Sequence, residues 1–299
     1  MFNNFLLEIN QLSKKVSNQN ISFIDASKEI EEYIMNIHDI KPIIAQIGVI
    51  PENIEHDSSE EKLFSKASDV VLSRAFLDLG LKSAVLTERG DSADVIAISK
   101  YHNYSLVADA KAFRLSRTAK NQKDFKVVAL DTWRKDNNYA ILVSPYFQYP
   151  KSTSQIYQQS VNRNVLLFSW EHILIMLEQN IKESPDISLQ ELWIWPIILS
   201  ENITVSDAKK NSIGLFNKYF LNLLDITVEE LQSLLVQNIK SLHQRGEVEK
   251  TFWKNKIQEI KNMTRDEAIN ELLAEKKIES KIKTIDKYIG GLNEDRYII

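Results

Sequence analysis

Apolar residues recur at helical spacings through residues 1–57, where Phe, Leu and Ile fall three and four apart until Val49-Ile-Pro-Glu-Asn53 interrupts the pattern. Ser58-x-x-Glu61 then reads as a capping box, and Leu63, Phe64, Ala67, Val70, Val71 and Leu72 give the following stretch an apolar face. Gly80 stands where a C-cap glycine belongs, so the spacing predicts a helix over 60–79. The middle of the chain changes period. Residues 94–99 and 105–113 read as a strand pair joined across Lys100–Tyr104. A polar, basic segment leads into a helix predicted over Lys123–Lys135, then a buried strand at Tyr139–Val143 and another at Asn164–Phe168, with a helix near 153–161 between them. A further helix is expected from Trp170 to about Leu177. From residue 204 onward the pattern is nearly all helical, with capping boxes at Thr227-x-x-Glu230 and Thr264-x-x-Glu267.

The order β-β-α-β-α-β-α, preceded by a helix, describes an α/β fold with a mixed sheet flanked by helices. Its predicted parts are an N-terminal helical region over 1–57, a core over 58–180 and a helical C-terminal region over 181–299 packed on that core. Composition supports this. Seven Gly in 299 residues is few where average usage gives roughly twenty, and scarce turn residues favour long helices. The chain has no cysteine, which excludes disulfides, thiolate zinc sites and cysteine nucleophiles. Its five histidines are scattered without metal-ligand spacing, so a metal site must rest on oxygen ligands, which suits magnesium. No apolar run approaches the roughly 20 residues of a membrane span, and the N-terminus lacks the basic region and cleavage site of a signal peptide, so the chain reads as cytoplasmic. The five tryptophans read as core residues rather than base-stacking platforms, and the charged helices near 247–285 as solvated faces, with docking or a dimer contact as the alternative.

The candidate chemistry lies at the end of the second predicted strand. Strand side chains alternate, so Asp109 and Lys111 share a face, and Asp94 opens the neighbouring apolar strand. Two carboxylates that can hold a hard divalent cation, with a lysine beside the attacking water, are what a metal-dependent nuclease needs. Acid-x-Lys triplets occur elsewhere, at 60–62, 124–126, 207–209, 275–277 and 279–281, mostly where helical geometry turns the two side chains apart. Only Asp109 and Lys111 end an apolar strand with a strand-opening aspartate upstream. Glu88 and Asp91 could replace Asp94 as ligand, and a plain salt bridge at a sheet edge is the bland reading.

A basic run follows. Lys111, Arg114, Arg117, Lys120, Lys123 and Lys126 recur every third residue, with Asp109 and Asp124 as the acids, a local net of +4 in a chain of net charge −4. A step of three suits neither a flat strand nor one helix face, so these cations are expected along a curved path following DNA phosphates. Asn121 and its polar neighbours could read base edges.

Beyond the motif, longer blocks resemble the HindIII family of type II restriction endonucleases, a branch of the PD-(D/E)xK nucleases. They are Leu106–Val128 (LVADAKAFRLSRTAKNQKDFKVV), Glu61–Leu77, Arg89–Lys100, Phe147–Pro150, Val165–His172 and Phe216–Phe220. The resemblance implies a PD-(D/E)xK core and a homodimer. It also implies Mg²⁺-dependent double-strand cleavage of DNA at the palindrome AAGCTT, cut after the first A, and a cognate DNA methyltransferase as functional partner without direct binding. By motif it makes Asp94, Asp109 and Lys111 catalytic, with Asp94, Asp109 and the Ala110 backbone carbonyl as metal ligands and Ala93 in the place of the motif's proline. The family carries an acid where this chain has Thr87, and Glu88 is displaced by one, which leaves a ligand role for Glu88 open. Arg114, Arg117, Lys120, Asn121, Lys123 and Lys126 are the expected DNA contacts. Two rival readings stand beside this one: a structure-selective repair or junction nuclease on the same core, and a non-catalytic DNA-binding protein.

Overall fold

The computed structural model describes residues 1–86, 92–117, 121–150, 154–202 and 205–290. The elements run α1 (Phe2–Ser17), α2 (Phe23–Met35), α3 (Lys41–Ile47), α4 (Ser59–Asp78), β1 (Lys82–Val85), β2 (Val95–Ile98) and β3 (Ser105–Ala110). Then come α5 (Gln122–Phe125), α6 (Val127–Trp133), β4 (Tyr139–Ser144), α7 (Gln155–Arg163), β5 (Val165–Ser169) and α8 (Trp170–Glu178). The remainder is helical: α9 (Gln190–Trp193), α10 (Trp195–Asn202), α11 (Val205–Leu224), α12 (Val228–Asn262), α13 (Arg265–Glu275) and α14 (Ile278–Gly290).

The sheet has the order β1-β2-β3-β4-β5. Its first three strands form an antiparallel meander, and β3, β4 and β5 run parallel. The parallel pairs follow from the connections. Helices α5 and α6 carry the chain from β3 to β4 and α7 carries it from β4 to β5, the crossovers parallel neighbours require. Alternation along each strand divides two cores. Leu106 and Ala108, Ile141 and Val143, Leu166 and Phe168 face one side, where α1–α4 and α8 supply the opposing apolar surface. Val107, Ala140, Leu142, Val165 and Leu167 face the other, against Phe125, Val127, Leu130 and Ile156 from α5–α7. With both faces covered, β4 and β5 are buried along their whole length.

Helix α4 starts at Ser58 as expected, but only half of the capping box forms: the Ser58 hydroxyl accepts from the Glu61 N–H at 3.1 Å, while the Glu61 carboxylate accepts from the N–H of Asp57, one residue before the cap, at 2.8 Å. It ends at Gly80, whose φ of +93° lets the Leu81 N–H return to the Phe76 carbonyl at 3.0 Å. Arg74 ties the N-terminal helices to α4 by donating to the carbonyls of Ile34, Met35 and Ile37 at the end of α2.

Two expectations need correction. The sheet has a fifth strand, β1, which the sequence pattern did not announce. Lys82–Val85 is a short edge strand with no buried residue, so it lacks the apolar run that marks its neighbours. The single helix expected over Lys123–Lys135 is two helices, broken at Lys126 with φ +48°. The break lets Phe125 turn inward to stack on Tyr149, ring centroids 5.7 Å apart. Trp170 and Trp193 are buried as expected, whereas Trp253 is 47% exposed and no part of a core.

By its contacts the chain forms two compact units, Met1–Gly246 and Glu247–Ile299. In the first, His172 joins the sheet region to α11. Its ring lies among Phe168, Phe216 and Phe220, with Nε2 3.0 Å from Asn217 Oδ1 and Nδ1 2.8 Å from the Ser169 hydroxyl. Burial pushes its pKa down to about 4, so the ring is neutral and donates from Nε2 to Asn217. The second unit comprises the end of α12 with α13 and α14. Thr264 and Glu267 cap α13 reciprocally, and Ile278, Ile282 and Ile285 form an exposed apolar row along α14.

Candidate active site

The β2–β3 register places the proposed acids. Val95 pairs with Ala108 and Ile96 with Val107, so one step further along the same antiparallel register sets Asp94 opposite Asp109. Directly opposed residues have Cβ atoms roughly 5 Å apart, close enough for two carboxyls to share one cation or one proton. Their opposition favours a proton on Asp94. Burial, a hydrogen bond to Asp109 that only the protonated form can donate and the Asp109 charge push Asp94 up to about 7, while Lys111 and Lys66 pull the other way. Asp109 is 1% exposed, on a central strand rather than at a sheet edge. The Lys111 ammonium pairs with Asp109 Oδ2, and among the described residues that buried oxygen has no hydrogen bond.

The backbone around these side chains is held on several sides. The Lys111 N–H donates to the Val143 carbonyl at 2.7 Å, and the Trp170 indole donates to the Lys111 carbonyl at 3.1 Å. Two residues on, the Phe113 N–H donates to the Gly48 carbonyl at 3.0 Å and the Phe113 carbonyl accepts from the Ile50 N–H at 3.2 Å. The chain that leaves β3 is thus braced by β4, α8 and the segment after α3.

Helix α4 brings two groups that lie outside the Asp-x-Lys motif. Asp69, 9% exposed on a helix whose neighbours are core residues, has its pKa raised well above the carboxylate range. Burial is the first cause; the charges of Asp94 and Asp109 add to it, while Lys66 and Lys111 oppose it. Lys66 stands one turn ahead of Asp69 and donates to the Leu86 carbonyl at 3.4 Å, just beyond β1. Lys66 and Asp69 thus add their charges to those of Asp94, Asp109 and Lys111. Linear spacing does not mark the pair, because on the helical wheel Lys66 and Asp69 fall away from the face formed by Leu63, Phe64, Ala67 and Val70, where polar residues are ordinary.

The basic segment divides between groups that are engaged and groups that are open. Arg114 donates to the Pro51 carbonyl at 2.8 Å and pairs with Glu61 at 2.5 Å, so its guanidinium braces the start of α4. Arg117 pairs with Asp124 and lies over the Phe113 ring, yet its side chain is 45% exposed. Asn121 is the N-cap of α5, its side-chain Oδ1 accepting from the Lys123 N–H at 3.0 Å. Lys123 and Lys126 are exposed, with Lys126 over the Trp133 ring. Glu88, Asp91 and Lys120 lie outside the described residues.

The donors at Asp94, Asp109 and the Ala110 carbonyl fit a hard divalent ion: all are oxygens, two are carboxylates, and one buried carboxylate oxygen has, among the described residues, the Lys111 ion pair but no hydrogen bond. His56, Asp57 and Glu61 form another group whose ligand atoms lie within 4.8 Å of one another. Glu61 there is already bound to the Asp57 N–H and Arg114, and His56 is exposed, so this group reads as the capping structure of α4.

The chain is similar to known proteins along nearly its whole length. The family model described as HindIII restriction endonuclease matches residues 3–288. The type II restriction enzyme HindIII of Haemophilus influenzae is 48% identical over 286 residues, which cover 96% of this chain and 93% of that enzyme. A match of this identity and extent, running through the paired acids and the lysine beside them, makes the chain a member of the HindIII restriction endonuclease family.

Proposed function

We propose that this restriction endonuclease hydrolyses both strands of DNA at the palindrome AAGCTT, cutting after the first A with Mg²⁺ and leaving 5′-phosphate ends. The carrying observation is the opposition of Asp94 and Asp109 across β2 and β3 with Lys111 against Asp109. Asp94, Asp109 and the Ala110 carbonyl would hold the ion, which when bound lowers the pKa of a water and offsets charge on the phosphate. Lys111 would orient the attacking water and donate to a non-bridging phosphate oxygen. In-line attack on phosphorus forms the new P–O bond and breaks the bond to the 3′ oxygen, which leaves as an alcohol once protonated. The phosphate stays on the 5′ side.

Arg117, Lys123 and Lys126 would contact phosphates, together with Lys120, while Asn121 and Arg114 shape the segment that presents them. A palindrome is matched by two-fold symmetry, so the working form is a homodimer in which each copy cuts one strand. The cell then needs a methyltransferase that protects the same site, and both would act in the cytoplasm. Among the described residues no helix is long and apolar enough to cross a membrane. Family membership weighs against a junction nuclease and against a non-catalytic DNA binder. Plasmid digestion with and without Mg²⁺, followed by end sequencing and sedimentation analysis, tests the reading. Discrete fragments ending in one hexamer and a dimeric mass support it; structure-selective nicking without a fixed sequence overturns it.

A further inference from the structure

We propose that Glu52 is a positioning residue for DNA binding: from the segment after α3, its buried carboxylate fixes the chain that runs from Lys111 to the half-exposed guanidinium of Arg117. The inference rests on the reading of function given above and deepens it. Glu52 is 6% exposed, yet both its carboxylate oxygens turn to one exposed residue 64 positions away. Its Oε1 accepts from the Ser116 N–H at 2.9 Å and its Oε2 from the Ser116 hydroxyl at 2.8 Å. A buried carboxylate is costly unless hydrogen bonds meet it, and bonds to an ionised acceptor are the strong ones. These two secure no apolar burial, because Ser116 and Arg117 face solvent. What they secure is a conformation. Phe113 is already tied by its backbone to Gly48 and Ile50 and bridges Val49 in parallel. Beyond it side chains add the hold: Arg114 donates to the Pro51 carbonyl and pairs with Glu61, and Glu52 takes Ser116. Ser116 is the third residue of a turn that the Arg117 N–H closes on the Arg114 carbonyl at 3.3 Å. By gripping that corner, Glu52 sets how far and in which direction the Arg117 cation stands from the lysine of the candidate site. Without the carboxylate this turn has to be ordered each time DNA binds, at a cost in conformational entropy.

The test reads binding and turnover separately on a short duplex carrying AAGCTT. In Ca²⁺, Glu52→Ala should bind it about tenfold more weakly, since reordering even one residue of backbone costs a factor of that order. With Mg²⁺ its KM should rise to match while kcat at saturating DNA stays within about twofold of wild type, the signature of lost binding rather than lost chemistry. Glu52→Gln keeps a side-chain oxygen for one of the two bonds and should recover part of the loss. Ser116→Ala, at an exposed position, removes the hydroxyl bond alone and should weaken binding by less. The double variant should bind no worse than Glu52→Ala, because both changes act on one contact. Wild-type affinity in Glu52→Ala and Ser116→Ala overturns the inference, as do additive losses in the double variant or a fall in kcat with KM unchanged. If Glu52→Ala does not fold, Glu52→Gln and Ser116→Ala decide, and wild-type affinity in both overturns the inference. A wild-type chain that neither binds nor cuts this duplex overturns the reading of function and this inference with it. A wild type that does both, beside Glu52 and Ser116 variants that match it, sinks the Glu52 role alone.

Discussion

The chemistry of single residues is set here by what each carboxyl must face when no cation is bound. Asp109→Ala removes the residue opposite Asp94 and beside Lys111; cleavage should be abolished while specific DNA binding in Ca²⁺ survives, as gel shift will report. Asp94 makes a second prediction. Its folded pKa near 7 lies above the roughly 3.9 of an unfolded aspartate, so between these values the folded chain holds a proton that the unfolded chain has released. The metal-free protein therefore loses stability as pH rises through that window. A cation needs the carboxylate, so it must displace the proton: apparent Ca²⁺ affinity should fall toward tenfold per unit as pH drops below about 7. Calorimetry in buffers of different ionisation enthalpy should detect the released proton, and Asp94→Asn should abolish the release. The Asp94, Asp109 and Lys111 arrangement was legible in the sequence because strand alternation fixes which side chains share a face. Asp69 and Lys66 were not, because their link to the site is tertiary and nothing in linear spacing announces that α4 delivers them there.

Among the elements, the strongly patterned ones could be read and the weakly patterned ones could not. Helix α4 declared both its ends through Ser58 and Gly80, and the runs that became β2 to β5 carried enough Val, Ile, Leu and Ala to stand out. β1 stayed silent because an edge strand of four residues can be polar or half-exposed and still complete the ladder. The break between α5 and α6 was hidden for another reason: it needs a left-handed Lys126, which sequence disfavours and the burial of Phe125 enforces. Replacing Lys126 by Gly should raise stability by up to about 1 kcal/mol, measured by urea unfolding. If Lys126 also contacts a phosphate, the same variant should flatten the slope of log affinity against log salt by about 0.9. Gly80→Ala goes the other way. At φ +93° an added Cβ would stand 2.6 Å from the Glu183 carbonyl oxygen, and a loss of about 2 kcal/mol with a Tm several degrees lower is expected.

Across the whole molecule, one side chain links regions far apart in sequence. The Glu183 backbone N–H donates to the Leu79 carbonyl at 2.8 Å, beside the end of α4. Its buried carboxylate accepts from the Ser99 hydroxyl at 2.5 Å and from the Tyr104 hydroxyl, the two residues that open and close the β2–β3 turn. Ser99 in turn accepts from the N–H groups of Tyr101 and His102, and the His102 ring meets the Ser184 carbonyl at 2.7 Å. Glu183→Ala would leave the O–H donors of two buried hydroxyls without an acceptor, a loss on the order of 3 kcal/mol that chemical denaturation can measure. Its effect should extend further. The hairpin is a ruler read at one end and zeroed at the other, with roughly 17 Å of strand between. A one-notch slip at the zero would send one aspartate to the opposite face and unmake the reading, though every reacting atom were still encoded in the chain.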